Sequence, residues 1–229
     1  MGKLNISQRS RRRPTGPGWV SRAKRAVREG SYLVGLSLLF PATALSSELD
    51  TLTLVCSSCH GLDGISINST VPTIAGQAYT LIEDSLLDYR DNDRTCTATE
   101  LLQGEDAALV SAMCALVATL ENRDIAALAE FYELQAFVPA KQPFDASRAA
   151  DGARIHQQAN CEHCHSKGGT DSNGMAAILA GQWTPYLERS LLRIRSGEKK
   201  GPKVMNEAIR EFTDDDIEAL LNYYASRQN

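Results

Sequence analysis

Two pentapeptides in this chain combine residue types and spacing suited to one chemistry: Cys56-Ser-Ser-Cys59-His60 and Cys161-Glu-His-Cys164-His165. Both read C-x-x-C-H. At this spacing two thiols add to the vinyl groups on one porphyrin edge, while the adjacent imidazole turns under the iron. Four cysteines could instead hold a tetrahedral zinc ion or pair as structural disulfides. Neither alternative explains a histidine directly after the second cysteine in both copies. The expected cofactors are therefore two covalently bound haem c groups, on Cys56 and Cys59 and on Cys161 and Cys164, with His60 and His165 as proximal iron ligands.

The repeat extends beyond the motifs. Cys56 and Cys161 are 105 residues apart, and the same offset relates Ala75-Gly-Gln77 to Ala180-Gly-Gln182, Glu83 to Glu188 and Arg90 to Arg195. Further on the offset falls to 92, relating Met113 to Met205 and Asp124-Ile125 to Asp216-Ile217. The first half thus carries 13 extra residues between Arg90 and Met113. Such a duplication implies two copies of one folding unit. Beyond Met1 the methionines are Met113, Met175 and Met205, and only Met113 and Met205 share a register. Methionine is often core filler, but a thioether opposite imidazole is the usual axial pair of a cytochrome c. Met113 and Met205 are the expected distal ligands. A second haem with two imidazole ligands, using His156 or His163, is the alternative; both histidines read instead as surface or packing residues. Cys96 lies within the extra segment and Cys114 follows Met113. A Cys96–Cys114 disulfide is expected, worth about 3 kcal/mol for so short a loop, with two free thiols as the alternative.

The elements that must position these groups are helical. Ile125, Leu128, Ala129 and Tyr132 fall at i, i+3, i+4 and i+7, as do Ile217, Leu220, Leu221 and Tyr224. Each half should close with an amphipathic helix over the haem, with Asn122 and Thr213 as N-caps. Tyr79–Arg90 and Pro185–Ser196 supply another helix per half, and a short helix should carry each C-x-x-C-H. The linker is Val138-Pro-Ala-Lys-Gln-Pro143, stiffened by its prolines. The fold class is all-α, with a signal peptide at 1–44, a first haem domain at 45–139 and a second at 140–229.

Charge supports that division. The formal net charge of −4 averages a leader of +8, residues 1–44, with a remainder of −12. The leader ends in a short apolar run, Tyr32 to Phe40, and the small residues Ala42-Thr-Ala44. This is the pattern of a secretory signal peptide and implies a periplasmic location; an uncleaved signal anchor is the alternative. Residues 45–140 hold 15 acids against 3 bases, whereas 141–229 hold 12 of each. The second half concentrates Arg189, Arg193, Arg195, Lys199, Lys200 and Lys203 before Met205. Such a polarity would orient the protein during encounter with a partner, although a solvated helix face is the plainer reading of the basic cluster. An acidic exported protein is not expected to bind nucleic acid.

On these residues the chain resembles dihaem, two-domain class I cytochromes c. Cys56-Ser-Ser-Cys-His-Gly-Leu-Asp-Gly64 and Pro72-Thr-Ile-Ala-Gly-Gln77 resemble the mobile dihaem carriers of the c4 type. The second half is more similar to the cytochrome subunit of flavocytochrome c sulfide dehydrogenase, through Pro139-Ala-Lys-Gln-Pro-Phe-Asp145, Gly152-Ala-Arg-Ile-His156 and Ile178-Leu-Ala-Gly-Gln-Trp-Thr-Pro-Tyr-Leu187. That resemblance implies two tandem class I cytochrome c domains in a periplasmic heterodimer. A separate FAD-containing subunit would oxidise sulfide, and this chain would pass the electrons singly to a soluble or membrane acceptor. No residue here would be catalytic. The alternative is a free carrier of the c4 type feeding a terminal oxidase.

Overall fold

A computed structural model of the chain describes residues 43–96, 104–171, 174 and 176–228. Most of the expected leader, part of the extra segment and Met175 lie outside the described residues. All regular structure among the described residues is helical. A first group comprises α1 (Thr43–His60), α2 (Tyr79–Arg90), α3 (Gly104–Val117) and α4 (Asn122–Glu133). A second comprises α5 (Ala146–Gln158), the four-residue α6 (Ser166–Gly169), α7 (Thr184–Ser196), α8 (Lys203–Arg210) and α9 (Asp214–Ser226). No described helix is long and apolar enough to cross a membrane.

Each closing helix buries the stripe its sequence presents. Ile125, Leu128, Ala129 and Tyr132 of α4 pack with Ile82 and Leu86 of α2 and Val117 of α3. In the second group Ile217, Leu220, Leu221 and Tyr224 of α9 pack with Leu187 of α7. Both closing helices start in a capping box. Thr213 caps α9 as expected, with Asp216 as its partner. For α4 the cap is Glu121, paired with Asp124, and Asn122 is the first helical residue. Pro185 sits in the first turn of α7, where a missing N–H costs nothing.

The C-x-x-C-H motifs differ locally from the expected short helices. The first occupies the last turns of the 18-residue α1. The second follows α5 as a single 3-10 turn, Cys161–His163, entered through Asn160 in the left-handed region at φ 56°. Asn tolerates that conformation, and it ends the helix before the motif begins. Cys96 and Cys114 are joined by a disulfide, which ties the extra segment to α3.

Candidate functional site

Cys56, Cys161 and Cys164 are half-buried and Cys59 is exposed; all four are free thiols. Beside each pair, the histidine is fixed by one backbone carbonyl. His60 Nδ1–H donates to the Pro72 oxygen at 2.9 Å, and His165 Nδ1–H donates to the Ala177 oxygen at 2.7 Å. A carbonyl can only accept, so each ring holds its proton on Nδ1 and keeps the Nε2 lone pair for a metal. Burial lowers the pKa of both imidazoles and favours the neutral ring. A neutral histidine oriented through its second nitrogen is the ordinary state of a metal ligand.

The two carbonyls occupy matching positions, 105 residues apart like the motifs, and the strap carrying each is pinned in the same way. Ile74 N and Ala75 N donate to Gly64 O at 2.8 and 3.1 Å, as Leu179 N and Ala180 N donate to Gly169 O at 2.9 and 3.0 Å. Gly76 N reaches Tyr132 O at 2.8 Å, and Gly181 N reaches Tyr224 O at 2.9 Å. Gly64 adopts φ +80°, and a Cβ there would stand 2.8 Å from Tyr132 Cδ1, so only glycine suits this close approach.

Met113 lies on α3, half-buried against the same core as Cys56. Met205 lies on α8, which packs against α7. Among the described residues no group of three or more His, Cys, Asp or Glu side chains converges as a metal site. The thiol pair beside an imidazole oriented through Nδ1 suits haem c better than zinc.

His156 is more than a packing residue. It is fully buried, with Nδ1 3.0 Å from the Tyr224 hydroxyl and Nε2 2.9 Å from Glu162 Oε2. Glu162, inside the second motif, also accepts from Lys167 N at 2.6 Å and Gly168 N at 3.0 Å. The attachment turn is thereby tied to α5 and α9. The in-register Gln77 and Gln182 are likewise buried, at 5% and 3% exposure, although no charge or metal motif marks them. Their signal was the repeated Ala-Gly-Gln itself.

The basic cluster is only partly a solvated helix face. Arg193 is buried, and Arg189 donates to Thr70 O at 2.6 Å and pairs with Asp106 across to the first group. With Tyr89 and Arg94 of the first half, Tyr186, Arg189, Arg193 and Lys199 line a small shared cavity. Desolvation, then repulsion from Arg94, pushes the Lys199 pKa down to about 8. Arg94, Arg189 and Arg193 are paired there with Asp88, Asp106 and Glu198, the last of which also lines the cavity.

The family model for the cbb3-type cytochrome c oxidase subunit III matches residues 147–223. Cytochrome c-554(548) of Halomonas halodenitrificans is 35% identical over 80 residues, 35% of this chain and 83% of that protein. The thiosulfate dehydrogenase electron acceptor of Stutzerimonas stutzeri is 28% identical over 180 residues, 76% of this chain and 79% of its own. The crystal structure of reduced cytochrome c4 from Pseudomonas stutzeri aligns with a TM-score of 0.63 at 22% identity, covering 79% of this chain and 96% of that one. The chain belongs to the cytochromes c, and over 74% of its length it is similar, at 25% identity, to cytochrome c4 of Stutzerimonas stutzeri. Its fold is the two-domain class I cytochrome c arrangement, and its role as a cytochrome c is electron transfer. This cytochrome also resembles the cytochrome subunit of sulfide dehydrogenase from Chlorobaculum tepidum, at 40% identity over 57 residues, 25% of this chain and 49% of that protein.

Proposed function

We propose that this cytochrome accepts electrons in the periplasm from a dehydrogenase acting on a reduced sulfur compound and passes them on one at a time. One haem c would be attached to Cys56 and Cys59, with His60 and Met113 as axial ligands. The other would be attached to Cys161 and Cys164, with His165 and Met205. The observation that carries this reading is the duplicated imidazole, each with Nδ1–H on a strap carbonyl beside a free C-x-x-C pair. When bound, each group supplies a one-electron iron couple. The chain's own residues attach and orient it, while the closing helices exclude water. We assign residues 45–139 to the first haem domain and 140–229 to the second, with 1–44 as the export leader. The test is a pyridine haemochrome assay with intact mass: two haems per chain are expected, and one after Cys161 and Cys164 are both changed to Ser. Two haems surviving that change would refute the assignment.

Two donors are compatible with this role. A FAD-containing sulfide dehydrogenase subunit in a heterodimer is supported by the local similarity of the second half. A free carrier, accepting from a sulfur-compound dehydrogenase and feeding a terminal oxidase, is supported by similarity to the thiosulfate dehydrogenase electron acceptor over 76% of this chain. Co-purification separates them. A stoichiometric flavin-bearing chain supports the heterodimer, and a lone chain without flavin absorbance supports the carrier.

A further inference from the structure

The two halves meet through a reciprocal exchange between equivalent residues. Gln182 Oε1 accepts from Thr73 N at 3.0 Å, and Gln77 Oε1 accepts from Ile178 N at 2.9 Å. Gln77 and Gln182 are equivalent in the repeat, as are Thr73 and Ile178, so the pair of contacts obeys a two-fold relation. The Thr73 N–H belongs to the same peptide group as the Pro72 carbonyl that accepts from His60. Likewise the Ile178 N–H shares a peptide with the Ala177 carbonyl that accepts from His165. Each proximal histidine is therefore linked, through a single peptide group, to a buried glutamine of the opposite half.

We propose that Gln77 and Gln182 are crossed positioning residues, each setting the electron-donating strength of the proximal imidazole in the other domain. The inference rests on His60 and His165 being the iron ligands. A peptide that donates through N–H while accepting at its oxygen is polarised, and its carbonyl becomes a better acceptor. The stronger Nδ1–H···O bond makes the imidazole a better donor to iron, which stabilises the oxidised state. Gln182 reaches further than its counterpart, because its Nε2 also donates to Thr73 O at 2.8 Å. Its Oε1 additionally accepts from Trp183 N at 3.1 Å. The arrangement would let the docking of the halves, rather than either domain alone, determine both potentials.

The experiment compares Gln182→Met and Gln77→Met in the full dihaem protein by spectroelectrochemical titration. The two waves are assigned with a Met113→His reference, in which only the first haem should fall in potential. Gln182→Met should favour reduction of the first haem by about threefold, leaving the second unchanged. Gln77→Met should do the same to the second haem alone, so either variant suffices should the other not fold. Hydrogen exchange gives a readout independent of redox state: the Thr73 amide should lose protection in Gln182→Met, and the Ile178 amide in Gln77→Met. Shifts on the substituted residue's own haem, equal shifts on both, or unchanged waves beside altered amide exchange would overturn the inference. Failure of the ligand reading is distinct: His60→Ala would then keep an unaltered low-spin spectrum.

Discussion

Gly152 offers a test in which intrinsic helix propensity and packing predict opposite signs. It lies inside α5, where alanine would ordinarily be favoured by about 1 kcal/mol. Yet a Cβ at this position would stand 2.0 Å from Ala219 O, 2.6 Å from Ala219 C and 2.7 Å from Tyr223 Cβ, all on α9. Restoring an ordinary contact of at least 3.4 Å requires the helices to part by roughly 1.4 Å. The obstructing atoms are mainly backbone and cannot turn aside. Overpacking of this kind costs about 1–3 kcal/mol, occasionally more, and here it also spreads the α9 face that holds Tyr224 against His156. The expected net loss for Gly152→Ala is about 2 kcal/mol, at the upper end of that range after the propensity gain. At about 2–4 °C per kcal/mol for a chain of this size, the melting temperature should fall by roughly 4–8 °C. Gly201→Ala is the control. There a Cβ would meet only side-chain atoms: Met205 Sδ at 3.6 Å, an ordinary contact, and Asn206 Oδ1 at 3.0 Å, which needs to give by only a few tenths of an ångström. Circular dichroism melts of the holoprotein decide the matter. A melting temperature for Gly152→Ala equal to or above the parent's, or a greater loss in Gly201→Ala, would refute the packing argument.

Replacing Cys96 and Cys114 together by Ser should cost about 3 kcal/mol by releasing the loop of 18 residues, measured by denaturant unfolding; no loss would mean the unfolded chain gains nothing from the release. Thr213→Ala should destabilise α9 by about 1 kcal/mol, because Thr213 Oγ1 accepts from Asp216 N at 3.1 Å. The Asp216 carboxyl is held below its ordinary pKa, first by the Thr213 hydroxyl. A depressed native pKa means its contribution is present above the unfolded carboxylate value and lost as pH falls through the folded one. The stability gap between the parent and Asp216→Ala should therefore narrow in acid, and a constant gap down to pH near 2 would contradict the cap. Met205→Leu should remove the Met–iron charge-transfer band of one haem and leave that of the other, read by visible absorption; loss of neither or both would refute Met205 as ligand to a single haem.

Much of the fold follows from local pattern. The stripes at Ile125 to Tyr132 and Ile217 to Tyr224 could be buried only as helices facing a core, and α4 and α9 bury them. Boundaries were less legible. Glu121 displaces Asn122 as N-cap because the Asp124 carboxylate reaches back to its N–H at 2.9 Å, a reciprocal bond that no single residue reveals. The second C-x-x-C-H departs from helix because Asn160 takes a left-handed conformation, which Asn tolerates but which the motif's spacing does not announce.

The amino-acid sequence by itself determined the chemistry available and its multiplicity. Two C-x-x-C-H motifs, a repeat that brings Met113 and Met205 into register, and a helical period of burial are all properties of spacing along the chain. Tertiary structure alone decided which buried polar groups meet. Gln182 finds Thr73 and Gln77 finds Ile178 across separations of 109 and 101 residues. Arg189 leaves its helix face to pair with Asp106, and His156 is enclosed between Tyr224 and Glu162. The physical reason is that a hydrogen bond acts over about 3 Å of space regardless of chain distance. Periodicity can say that a residue faces inward; only the docking of the two halves supplies the atom it faces.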